Sequence, residues 1–156
     1  MKYRFRAVLP TFVTFFTLCF SESGGTFANN TVYEELVKNG FPVGLLPETV
    51  VDYNIQTNGN FMVHLQEVCS FTLSKTYYVT YGSTISGLLA YGAISDLSGI
   101  SVKVFFFNLA VSSIYVRGND LLFEVGFLST KFPVTSFKES PVCRLDLSLL
   151  SSAFTN

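Results

Sequence analysis

A chain of 156 residues that is 49% hydrophobic and only 13% charged holds the apolar material for one folded domain, which excludes intrinsic disorder. Ten Lys and Arg stand against eleven Asp and Glu, a net charge of −1 with no basic run, so a surface that tracks nucleic-acid phosphates has nothing to start from. Seventeen Phe and eight Tyr, with no Trp, put the weight on aromatic packing.

The first 23 residues read as a cleaved signal peptide. Lys2, Arg4 and Arg6 form a positive n-region and Ala7 to Phe20 an apolar h-region, with small residues following. A signal anchor left in the membrane is the alternative. The apolar run is short of the ~20 residues of a comfortable span, and Pro10 interrupts it. Cleavage after Ser23 leaves seven Lys and Arg against ten Asp and Glu, and only Cys69 and Cys143 of the three cysteines. An even pair in a secreted chain reads as a disulfide. A short segment, 24–30, follows the cut, and Asn29-Asn30-Thr31 in it is an N-glycosylation sequon on Asn29.

Thr31 also opens a capping box with Glu34, predicting a helix from about Val32 to Lys38 that Gly40 stops. Phe41 to Pro47, with two prolines and a glycine, reads as an extended connector laying Leu45 and Leu46 on the core. Val51, Tyr53 and Ile55 alternate with polar residues, as do Phe61, Val63 and Leu65. Asn58-Gly59 between them predicts a hairpin turn with positive φ at both positions, and leaves Met62, His64 and Gln66 on the wetter face.

Further strands are expected over about 77–81, 83–91 and 100–115, the last bending because Phe105, Phe106 and Phe107 make it apolar on both faces. The glycines of the central stretch Ser86 to Val111 argue for strands that bulge and curl rather than for a helix. Arg117 to Asp120 is a turn, Leu121 to Phe127 a strand with Leu121, Phe123, Val125 and Phe127 inward, and Val134 to Phe137 a short extended piece. The Ser- and Leu-rich tail, 145–156, is expected to be loosely held. Together these predict a single all-β domain over 31–144 with one short N-terminal helix: a sandwich, roll or pseudobarrel with many short connections.

In GFPVGLLPETV (Gly40 to Val50), FMVHLQEVC (Phe61 to Cys69), YYVTYGSTISGLLAYGAISDLSGI (Tyr77 to Ile100), SVKVFFFNLAV (Ser101 to Val111), FEVGFLSTKFPVTSF (Phe123 to Phe137) and SPVC (Ser140 to Cys143) the chain resembles the plant family catalogued as domain of unknown function 538. The likeness runs from about Val32 to Cys143. Asn108 stands where that family usually has tryptophan, and Ser113 where it often has an acidic residue. The resemblance implies a secreted β sandwich or pseudobarrel of land plants with no established catalytic residues. A lipid-binding role, by analogy with bactericidal permeability-increasing proteins, and a hydrolase role have both been suggested for it. It also implies the Cys69–Cys143 bridge.

Catalytic inventory is thin. His64 is the single histidine, so any Ser-His-Asp device must use it, and it lies mid-hairpin on the outward face. Ser70, Ser74, Ser83 and Ser86 could lie near it, but no Gly-x-Ser-x-Gly elbow exists. Asp96 and Asp120 fall in turns, and Glu34 and Glu35 are adjacent on a helix and point apart. No metal set and no phosphate loop is visible, so no cofactor is expected. The preferred reading is a non-catalytic binding module for a lipid-like apolar ligand, its pocket lined by Phe105, Phe107, Phe123 and Phe127 with Tyr81 or Tyr91 at the mouth. The alternatives are an extracellular protein-interaction or structural module and, third, an esterase-type hydrolase.

Overall fold

The computed structural model describes residues 31–144; the expected signal peptide, the Asn29 sequon and the tail 145–156 lie outside the described residues. The chain opens with helix α1 (Val32–Lys38). The hydroxyl of Thr31 accepts from the Glu34 N–H at 3.3 Å, and buried Val32 and Leu36 give the helix its inward face. It ends in a Schellman motif: Phe41 N–H donates to the Leu36 carbonyl at 2.9 Å and Gly40 N–H to that of Val37 at 3.0 Å. Leu36 and Phe41 are both buried there. The connector holds a 3₁₀ turn (Val43–Leu45), and Leu45 and Leu46 enter the core as expected.

Eight antiparallel strands follow: β1 (Val50–Ile55), β2 (Asn60–Leu65), β3 (Cys69–Leu73), β4 (Tyr77–Ala90), β5 (Ala93–Val104), β6 (Phe107–Arg117), β7 (Asp120–Val125) and β8 (Leu128–Pro133). They form one sheet in the order β1-β2-β4-β5-β6-β7-β8, with β3 paired to the other half of β4. The architecture is all-β with one short helix, and the sheet does not close into a barrel. A second 3₁₀ turn (Val134–Phe137) replaces the extended piece expected there. It packs beside the first, where Gly44 leaves no room for a Cβ against the main-chain carbonyls of Phe137 and Glu139.

Register breaks cross the middle of the sheet. They fall between Tyr81 and Ser86 of β4, between Ile94 and Ser101 of β5, and between Val111 and Ser113 of β6. Gly99 sits at this level with φ +92°, and a side chain there would run into the Thr84 carbonyl. Bulges bend a strand and raise its twist, so a row of them folds the sheet into a roll. The inner face is thereby divided. Ile85, Leu89, Ile94 and Leu97 lie on one side of the break with α1 and the first 3₁₀ turn, and Val79, Val102, Val104 and Val125 on the other. A disulfide between Cys69, fully buried on β3, and Cys143 closes a 74-residue separation and pins the C-terminal segment to this second half. Arg144 N–H adds a bond to the Ser70 carbonyl at 2.9 Å.

Two turns differ from expectation. Only Gly59 of the Asn58-Gly59 pair has positive φ; the Gly59 N–H bonds back to the Gln56 carbonyl at 2.9 Å, and the Asn58 side chain accepts from the Asn60 N–H. The expected long strand 100–115 is instead two strands joined at Phe105-Phe106, a turn in which Phe105 takes φ +54°. Left-handed backbone at a residue with a bulky side chain is costly, which is why a run of phenylalanines does not announce a turn.

Candidate ligand pocket

The half of the roll covered by α1 is filled, with a residual void of only about 30 Å³. The other half is not. A cavity of about 270 Å³ runs from Tyr81, Ile100 and Ile114 at its floor to Leu73, Val104 and Leu128 beside the turns at the end of the sheet. Stacked and edge-on rings build one wall: Phe123 lies 5.6 Å from Phe137 and 5.7 Å from Phe132, and Tyr77 lies 5.2 Å from Phe132. Phe71 stacks on Tyr81 at 5.7 Å near the floor. Val79, Val102, Val111 and Val125 form the strand side, and Ser129 and Thr130 supply polar atoms.

Tyr81 and Phe123 are therefore pocket residues, but Tyr81 is at the floor and not the mouth. Its ring is buried, and its hydroxyl is spent on the Leu45 carbonyl at 2.8 Å. Burial without a compensating charge pushes that hydroxyl far above the ordinary tyrosine range. The remaining expectations are corrected. Phe105 and Phe127, in turns, are 86% and 85% exposed, Phe107 at the start of β6 is 69% exposed, and Tyr91 is 81% exposed at the opposite end, its ring over Gly40. Alternation continued past β7 turns Phe127 inward, but β7 ends at Val125 and Gly126 at φ +58° turns the chain before Phe127 is reached. Val79, Val102, Val104 and Phe132 complete the lining, and of these the alternation of valines around Lys103 signals Val102 and Val104 in the sequence.

His64 stands in register between Asp52 of β1 and Thr84 of β4, and its Nδ1 lies 3.2 Å from the Thr84 hydroxyl. The row resembles an acid-base relay only in composition. It lies along three neighbouring strands, and His64 Nδ1 has the Thr84 hydroxyl as its side-chain partner. Among the described residues, no group of three or more His, Cys, Asp and Glu side chains could hold a metal ion, and no helix is long and apolar enough to cross a membrane.

Fold and site together define a small rolled antiparallel β-protein with an apolar pocket open at one end of its sheet. The chain belongs to the family described as protein of unknown function, DUF538, which matches residues 32–138. Neither the curated proteins nor the solved structures compared with it give a match. Asn108 and Ser113 lie outside the pocket lining.

Proposed function

We propose that this protein is a secreted, non-catalytic module that holds a small apolar, lipid-like molecule in the pocket between β3–β8 and the second 3₁₀ turn. The observation that carries the reading is the unfilled apolar volume of about 270 Å³ beside a well-packed half of the same core. Protein interiors are close-packed, and an apolar cavity of ~150 Å³ already accepts a benzene-sized guest. The volume suits a single acyl chain end or a compact hydrocarbon, with its polar group toward Ser129 and Thr130. The buried disulfide supports a route through an oxidising compartment, as do the basic and apolar N-terminal residues.

Displacement of the fluorescent fatty acid cis-parinaric acid by oleate tests the pocket. Val102→Phe projects a ring into the cavity from a half-buried strand position and should abolish binding while lowering the unfolding free energy by no more than about 1–3 kcal/mol. Binding unchanged by that substitution places the fatty acid elsewhere and ends this reading. Mass spectrometry of the protein recovered from medium tests the compartment: a chain beginning near residue 24 with a hexose-bearing Asn29 is expected, and an intact leader contradicts it.

A further inference from the structure

Three turns meet at the open end of the pocket: Ser74-Lys75-Thr76 between β3 and β4, Phe105-Phe106 between β5 and β6, and Gly126-Phe127 between β7 and β8. Phe105, Phe106 and Phe127 stand 86%, 94% and 85% exposed, and Phe107 and Leu128 continue the apolar surface down to the pocket's rim. Exposed aromatics concentrated at one end, on short turns, have no role in packing this chain. One of them is held against backbone preference: Phe105 at φ +54° occupies a position where Gly or Asn would sit without strain. Charge is one-sided as well. Residues 73–78, 103–109 and 125–129 contain Lys75 and Lys103, both exposed, and no carboxylate.

We infer that this end of the molecule docks on an anionic lipid surface, the phenylalanines entering the acyl–headgroup boundary while Lys75 and Lys103 meet the lipid phosphates. Two features favour a bilayer over a protein partner. Loop-tip aromatics flanked by cations match the depth profile of a membrane interface, apolar below and anionic above. The patch is also continuous with the pocket rim, so docking sets the mouth of the cavity against the hydrocarbon from which an apolar ligand would come. Docking does not require a filled pocket, and the two readings can fail separately.

The test is sedimentation of the folded protein recovered from medium with phosphatidylcholine vesicles, with and without phosphatidylserine. Binding to the anionic vesicles is expected, falling as salt is raised. Phe106→Ser and Phe127→Ser should each weaken it about tenfold or more, and Lys75→Gln and Lys103→Gln about fivefold each. All four positions are exposed, so folding is not at stake, and cis-parinaric acid binding without vesicles should be unchanged in each variant. Because the chain has no tryptophan, Phe106→Trp gives one reporter, whose emission should be quenched by brominated lipid. Absence of sedimentation with either vesicle, or equal sedimentation of parent and Phe106→Ser, overturns the inference. A dimer in solution that Phe106→Ser dissociates overturns it too, by assigning the patch to a second copy.

Discussion

The hydroxyl of Tyr81 on β4 donates across 2.8 Å to the main-chain carbonyl of Leu45, 36 residues earlier in the first 3₁₀ turn. That bond closes the floor of the pocket and joins it to the packed half of the core. Tyr33 makes a companion bond to the Pro47 carbonyl at 2.6 Å, so two tyrosines tie the connector to the rest of the fold.

Tyr81→Phe keeps the ring and removes the donor, leaving the Leu45 carbonyl buried without it. The loss expected is about 1–3 kcal/mol, read as a lower urea midpoint with unchanged slope. Equal midpoints would remove this bond from the account.

The same group gives a pH dependence. Burial raises the Tyr81 hydroxyl above its usual value of 10.0, and burial with the nearby Glu48 charge raises Tyr33. Below about pH 10 both states hold these protons and the contribution is intact; above it the unfolded chain releases protons that the folded chain keeps. Stability therefore falls as pH rises past that point, by about 1.4 kcal/mol per pH unit for Tyr81. Tyr81→Phe should flatten that alkaline limb, which urea titrations at several alkaline pH values will show.

Removing the bridge by Cys143→Ser releases a 74-residue separation from constraint and should cost about 4 kcal/mol on the chain-entropy account. That is a large share of the ~5–15 kcal/mol that holds a domain together. With Cys69 fully buried, neither sulfur should take iodoacetamide in the native protein until a reductant is added. Labelling of both cysteines without reductant contradicts the bridge.

Phe105→Asn places a residue tolerant of positive φ where the backbone already demands it. Relief of about 1–2 kcal/mol is expected, a rise in Tm of several degrees. Coupled with weaker vesicle binding, the gain would show a turn kept strained for contact; a lower Tm would show that the ring supports the fold.

Local pattern made α1 and the β1–β2 hairpin legible, because a capping residue, a stop glycine and period-2 alternation each act within a few residues. The pocket was legible only in part. Phe123 could be placed inward by alternation, whereas Tyr81 is expected at the mouth and lies at the floor, and Phe105 and Phe127 sit in turns just beyond strands whose ends are set by register with their partners. Nothing in Val104 to Phe107 carries the chemistry of a turn, since glycine or asparagine normally signals positive φ and here phenylalanine adopts it. Strand β3 pairs with the first half of β4 through the short turn Ser74 to Thr76, and it escaped because Ser74 and Lys75 take positive φ there with no glycine or asparagine to signal the turn. Which half of the roll is filled depends on where α1 lands, and that follows from the assembled sheet.

Methyl-detected NMR during titration with oleate tests the pocket most directly. The account predicts shifts at Val79, Val102, Val104, Val111, Val125 and Leu128, with Val32, Leu36, Leu46 and Leu97 in the packed half unmoved. Shifts confined to the packed half, or none at saturating oleate, would contradict it.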